Sequence, residues 1–206
     1  MRNIKRAFSM ALALVMLMGM MLVPSAAAGF SDQAEIVNKE AVAITAGLGL
    51  FAGADGKFMP QGTVTRAQMA TIIVKMLNGS DVNADSFKGT GKFTDTADFE
   101  GGWAEGYINW CSTLGVVAGY GDGTFKPGNM VTAAEAATMI LNALKVDAGE
   151  GEWPHTVMAK AEEVKFFEDL KQKPTSDKAM SREELAVVSL AGLEYKILQW
   201  MMQNLK

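Results

Sequence analysis

Three helix starts of one design recur along this chain, and they restrict it to a fold assembled from repeated helical units. They read Thr65-Arg66-Ala67-Gln68, Thr132-Ala133-Ala134-Glu135 and Ser181-Arg182-Glu183-Glu184. In each, a hydroxyl residue is followed three positions later by Glu or Gln. This is the capping-box pattern, in which two side chains satisfy orphan N–H groups at a helix start. Counted from the hydroxyl residue, positions +4, +7, +8, +11 and +12 hold Met69, Ile72, Ile73, Met76 and Leu77 in the first copy. The second copy has Ala136, Met139, Ile140, Ala143 and Leu144, and the third has Leu185, Val188, Ser189, Gly192 and Leu193. That spacing is one face of an α-helix. A repeated helical unit points to a binding or assembly module before it points to an enzyme.

Residues 1–28 read as a secretory leader. Arg2, Lys5 and Arg6 make a basic start, an apolar run covers about 10–23, and Ala26-Ala27-Ala28 supplies small residues for cleavage. The run is short for a bilayer, and no later stretch is long and apolar enough to span one. The expectation is an exported protein with no membrane segment after cleavage.

The leader holds three of the 19 basic residues and none of the 23 acids, so the remaining chain of about 178 residues carries a charge near −7 with His155 neutral. Bulk attraction to nucleic acid, anionic lipid or an anionic wall polymer is excluded by that balance. An anionic ligand must be held by a few placed groups. Cys111 is the single cysteine, so no internal disulfide can form, and its place on an apolar helix face marks it as a small buried hydrophobe.

The second copy shows the unit most fully. Phe93-Thr94-Asp95 opens it, and a Gly-Gly step leads to Trp103, Tyr107, Trp110, Cys111 and Leu114, an amphipathic helical series. Gly115 ends the helix. A loop through Gly119-Tyr120 and Gly121-Asp122-Gly123 runs to Phe125 and Pro127 before the capping box. The first copy repeats this as Phe30-Ser31-Asp32, with Ile36 in place of Trp103, then Leu48-Gly49-Leu50-Phe51-Ala52-Gly53 and Asp55-Gly56-Lys57-Phe58-Met59-Pro60, one residue shorter before Asp55. The third keeps the frame, with Trp153 standing 27 residues before Met180, but its loop from Lys171 to Asp177 has no glycine. The helix after Ser181 is predicted to run to about Leu205. Linkers at 78–91 and 147–152 are polar and too short to separate independent domains. The predicted organisation is 29–80, 92–147 and 151–206, three helix–loop–helix units sharing one core in an all-α bundle.

These motifs resemble the S-layer homology domain, the module that tethers bacterial surface proteins to the wall. That family's unit runs Phe-x-Asp, a Trp-led helix, a Gly-Tyr-x-Asp-Gly-Thr-Phe-x-Pro loop and an Ile-Thr-Arg-Ala-Glu helix start. The second copy matches at Phe93, Asp95, Trp103, the Gly119-to-Pro127 loop and Val131-Thr132-Ala133-Ala134-Glu135. The first copy matches well and the third weakly. The resemblance implies a pseudo-threefold bundle with grooves between units. It also implies non-covalent binding of a peptidoglycan-linked secondary wall polysaccharide with a pyruvylated end, and a location at the cell wall or surface layer. It assigns Arg66 and Arg182 to the acidic group, places Thr65, Ser181, Gly53 and Gly119 nearby, and lets Trp103 and Asp95 line or frame a groove. Surface-layer proteins are further implied partners; no cofactor or metal is expected.

Elementary chemistry bears on the same residues. A helix N-terminus with unpaired N–H groups favours a carboxylate, and an Arg on its first turn adds a planar two-point donor. Capping explains Thr65, Gln68, Thr132, Glu135, Ser181 and Glu184 without any ligand. It does not require the arginines, which are either carboxylate donors or ordinary helix-surface side chains. Ala133 removes the arginine from the second unit, Gln68 keeps the cap but removes a charge, and fewer than three working sites are expected. Asp81, Asn83 and Asp85 alternate like a calcium loop, but Ser86 and Lys92 stand where glycine and a bidentate Glu are needed, so a solvated linker is the better reading. His155 has no nucleophile beside it, and Glu162-Glu163 and Glu168-Asp169 read as the wet face of a helix, so catalysis is not expected. The alternatives are a protein-interaction or lattice-assembly module that has lost sugar binding, or a shortened form of a larger surface protein.

Overall fold

The computed structural model describes residues 29–79 and 82–204; the leader, Asp81 of the calcium-like run and Leu205 lie outside them. Six α-helices are present among the described residues: α1 (Lys39–Gly47), α2 (Arg66–Asn78), α3 (Glu105–Thr113), α4 (Ala133–Ala143), α5 (His155–Glu163) and α6 (Arg182–Asn204). The fold is all-α. Short 3-10 turns at Gln33–Glu35, Ala84–Phe87 and Phe99–Gly102 precede α1 and α3.

All three predicted boxes form. Thr65 Oγ1 accepts from the Gln68 N–H and Gln68 Oε1 accepts from the Thr65 N–H. Thr132 with Glu135, and Ser181 with Glu184, repeat the exchange. The apolar stripe behind each box is buried: Met69, Ile72, Ile73 and Met76 on α2, Ala136, Met139, Ile140 and Ala143 on α4, Leu185 and Val188 on α6. Gly192 lets α6 approach closely, since a Cβ there would stand 2.8 Å from Ile140.

The helices do not pair as the repeats suggest. The principal outer contacts are α3 on α2, α5 on α4 and α1 on α6, while α4 also packs against α2 and α6. The first helix of each unit thus lies on the second helix of the preceding unit, and α1 on α6 closes the ring. Backbone bonds follow the same cycle. The N–H groups of Arg66 and Ala67 donate to the carbonyls of Asn129 and Pro127, those of Ala133 and Ala134 to Lys178 and Ser176, and those of Arg182 and Glu183 to Gly62 and Pro60. Isolated antiparallel bridges, Thr65 with Met130, Thr132 with Ala179 and Thr63 with Ser181, flank these bonds.

This arrangement corrects one expectation. The N–H groups at the helix starts are not available to a ligand carboxylate, because the neighbouring unit's loop already accepts them. Two smaller differences follow from packing. The second unit's outer helix begins at Glu105 rather than Trp103, because Glu100, Gly101 and Gly102 have positive φ and turn the chain before it. The linker after α2 is not simply solvated. Its Ala84–Phe87 turn packs on α3, where Gly106 leaves no room for a Cβ beside the Ala84 carbonyl, and Phe87 O accepts from Asn109 Nδ2 at 2.8 Å.

Candidate functional site

Both arginines of the helix starts cross a unit boundary, and they do so in the same way. Arg66 donates from Nε to Phe125 O at 2.9 Å and from Nη2 to Ala118 O at 3.1 Å. Arg182 donates from Nε to Phe58 O at 2.8 Å and from Nη2 to Ala52 O at 2.7 Å. Phe125 and Phe58 are equivalent residues of the second and first units, as are Ala118 and Ala52. Each guanidinium also lies over aromatic rings, Arg66 over Phe125 and Tyr120 at 4.4 and 4.9 Å, Arg182 over Phe58 and Phe51 at 5.0 and 5.8 Å.

The loops that receive them are braced by the Phe-x-Asp motifs. The Asp95 carboxylate accepts from the N–H groups of Phe125 and Lys126 at 2.9 and 2.8 Å, and Asp32 accepts from Phe58 and Met59 at 2.9 and 2.7 Å. Burial pushes the Asp32 carboxyl up, but the N–H bonds from Phe58 and Met59, with its own backbone N–H and the Lys57 charge, together hold the group below its ordinary range. Phe93 packs beside Phe125 and Phe30 beside Phe58, each at 5.4 Å. Gly53 and Gly119 make this possible. A Cβ on Gly119 would stand 2.4 Å from Thr124 O and 2.6 Å from the Phe93 ring, and one on Gly53 2.5 Å from the Phe30 ring. Both glycines, and Asp95, therefore shape the loop beneath the guanidinium.

The two junctions differ at the third donor. Arg66 Nη1 meets the Glu135 carboxylate at 2.8 Å, and Tyr120 donates its hydroxyl to the same Oε1 at 2.5 Å. Arg66 is only 4 % exposed, which removes the reading of it as a helix-surface side chain. Burial together with the bond to Glu135 raises the Tyr120 hydroxyl. Arg182 is partly exposed, and no carboxylate lies within ion-pair distance of it among the described residues. Burial lowers the Arg182 guanidinium and the nearby Asp32 charge opposes that. A cavity of about 270 Å³ lies along the same loop, lined in part by Asp32, Lys57, Met59, Pro60 and Gly62. Arg182 and Glu183 bond to the Gly62 and Pro60 carbonyls of that lining.

The third junction has no arginine. Ala133 is buried there, and Pro174 stands where the other units place Phe58 and Phe125. Lys178 and Glu184 pair beside it. Thr65 and Ser181 serve the caps next to their arginines. Trp103 does not join them: it lies beside Phe99 with 6.4 Å between ring centroids, and its Nε1 donates to Glu100. Asp122 accepts from Thr124 within its turn, while Asp55 has positive φ in the equivalent turn. Asp85 pairs with Lys88. Tyr120 and the pairing role of Glu135 were not foreseen. The Glu-for-Gln difference between capping boxes was the available signal, but its partner lies 69 positions away across a unit boundary.

Comparison with known proteins bears on these junctions. The family profile for the S-layer homology domain matches residues 29–70 and 92–137. Two segments of this chain are S-layer homology domains. The chain is 37 % identical over 119 residues to the middle cell wall protein of Brevibacillus brevis, covering 57 % of this chain and 11 % of that one. It is 37 % identical over 97 residues to the cellulosome-anchoring protein of Acetivibrio thermocellus, 47 % of this chain and 21 % of that one. A cell surface protein of Thermoanaerobacter kivui shares 30 % identity over 160 residues, 78 % of this chain and 20 % of that one. The chain therefore spans only a small part of these relatives' length. Arg66 falls inside the first matched segment; Arg182 lies beyond both.

Proposed function

We propose that this protein is an exported cell-surface anchor that holds wall polysaccharide non-covalently at the junction carrying Arg182. The relatives named for walls, surfaces and anchoring support the location. The observation that carries the reading is Arg182 itself, partly exposed, seated on Phe58 and Phe51, with Nη1 bonded to no described residue. A guanidinium held by two carbonyls has lost its rotational freedom, so an acidic sugar group meets a pre-set planar donor. Such a local device works on a chain whose net charge is negative.

Sedimentation of the purified chain with cell walls, before and after the secondary polymer is stripped, tests this. The chain is expected to sediment with intact walls, to stay in solution with stripped ones, and to lose wall binding as Arg182→Ala. Unchanged sedimentation after stripping would refute it. One feature favours a protein partner instead: the far end of α6 exposes Ile197, Trp200 (64 %) and Met202, more apolar surface than a wet helix end requires. On that reading, substitution at Trp200 rather than Arg182 abolishes wall association.

A further inference from the structure

The inner helices of the first two units end with the bundle, and that of the third does not. α2 and α4 run 13 and 11 residues, whereas α6 runs 23. Among the described residues, Leu190, Ala191, Leu193 and Tyr195 are the last apolar residues of α6 packed on the core, Tyr195 edge-on to Phe166 at 6.5 Å. At about 3.6 residues per turn, the core face of Leu185, Val188, Ser189 and Gly192 continues outward as Lys196, Gln199 and Gln203. The buried side of the helix has turned polar there. Its apolar residues continue a different row.

That row is Glu183, Val187, Leu190, Glu194, Ile197 and Met201, alternately four and three apart, the spacing of a two-helix seam. It starts on the side that meets the first unit, where Glu183 accepts from Val37 and Asn38, and it runs on past that contact. At its far end Ile197 is 39 % exposed and Trp200, on the flank of the row, 64 %. Reversed, the far end is complementary to itself. Set antiparallel, Ile197 meets Met201 and Glu194 meets Asn204, an amide able to donate to a carboxylate. Set parallel, Glu194 meets Glu194. Burial and the charges of Asp169 and Glu40 already hold that carboxyl above its ordinary range, so a further like charge beside it is unfavourable. The antiparallel setting also keeps two bodies of the same net charge at opposite ends of the contact.

We propose that two copies of this chain pair through the outer half of α6, antiparallel about a two-fold axis, with Ile197 of each copy on Met201 of the other and Glu194 facing Asn204. Such a contact is isologous and closes at two copies. Trp200 offers roughly 150–250 Å², and with Ile197, Leu198 and Met201 the pair covers less than about 1,200 Å² in total, the size of a weak and transient interface. A pair carries two Arg182 junctions, so on the wall-binding reading it grips at two points. The pairing itself does not rest on that reading.

Sedimentation velocity of the whole chain, from low to high micromolar concentration and with no wall material present, tests it. The wild-type chain is expected to shift from one copy to two as concentration rises. Ile197→Ser and Trp200→Ser are expected to stay single at every concentration while melting as the wild type does, since both side chains are exposed. Asn204→Lys is expected to tighten the pair about three-fold, because the antiparallel setting gives two new Lys–Glu194 contacts. A wild-type chain that stays single throughout would overturn the proposal, and if that chain floats with phosphatidylcholine vesicles, the face belongs to a lipid surface instead. Pairing that survives both serine variants places the interface elsewhere and overturns it equally. Pairing that Asn204→Lys loosens means parallel helices, and the two-fold arrangement is wrong.

Discussion

Glu183 offers the most direct test of how the ring closes. It sits at the second position of α6, where the other two units have Ala67 and Ala134, and it is only 4 % exposed. Its Oε1 accepts from the N–H groups of Val37 and Asn38 at 2.8 and 2.5 Å. Those two donors stand at the entry to α1, which has no side-chain cap of its own. A carboxylate from the last unit therefore caps the first helix of the first unit. Each bond of this kind, made by a charged acceptor, is worth roughly 1.5–3 kcal/mol, and the charge adds favourable interaction with the helix dipole. Against this stands the cost of keeping a carboxylate out of water. Val37 and Asn38 are near enough to solvent for water to replace part of what is lost. The net expectation for Glu183→Ala is a loss of about 2–4 kcal/mol.

Urea unfolding measures it. With a slope of about 2 kcal/mol/M, the middle of the range for small proteins, the midpoint should fall by about 1–2 M while the slope stays unchanged. Glu183→Gln keeps an acceptor and loses the charge, so about half the effect is expected. Amide exchange should locate the damage, with protection falling over 39–47 more than over 133–143. A Glu183→Ala chain within about 0.5 kcal/mol of wild type, with α1 protection intact, would refute the idea that this carboxylate holds the ring shut.

The remaining predictions concern the loops and the core. Arg66→Ala removes a buried guanidinium and strands Glu135, so it should cost about 2–4 kcal/mol by thermal or urea melting, whereas Arg182→Ala, with no ion pair to break, should cost less than half as much. Asp32 is held below its ordinary range in the folded chain. Its contribution is therefore present above the unfolded carboxylate pKa and lost as pH falls through the folded one, because the unfolded state binds the proton first. Asp32→Asn should flatten the acid side of a stability-against-pH curve. Burial pushes the Cys111 thiol up to about 12, and its Sγ lies against the Ala70 carbonyl. A thiol reagent should leave native protein unlabelled and react only as unfolding proceeds.

Much of the fold was legible because capping and period are local. A hydroxyl residue, a Glu or Gln three positions later, and a 3.6-residue stripe need no tertiary information, and all three inner helices start where those signals stand. The shape of the loops was also legible in Gly53 and Gly119, though the reason is packing against Phe30 and Phe93. What escaped was everything that depends on which unit meets which. Trp103 reads as the head of a helix until positive φ at Glu100, Gly101 and Gly102 delays the start. The pairing of α3 with α2 rather than α4 is invisible in a repeat, since each copy could bury its stripe either way. Arg66 looked like a free surface donor because its acceptors, Phe125, Ala118 and Glu135, belong to a different copy.

That division also explains how the third unit's loop can lack glycine and the aromatic shelf, and its junction the arginine, without the unit leaving the ring. The bonds common to all three unit boundaries run from backbone N–H to backbone C=O, at Ala133 and Ala134 no less than at Arg66 and Arg182. They require a helix start and an extended approach, not a particular side chain. The capping hydroxyl and the small or apolar residues behind it are therefore held by the fold. The residue after the cap projects into the junction and is not. At that position Arg66 pairs with Glu135, Arg182 keeps one terminal nitrogen bonded to no described residue, and Ala133 closes its junction with a methyl group. One architecture can therefore carry a filled, an open and a blank junction side by side, and side chains decide their chemistry only after the backbone has set their geometry.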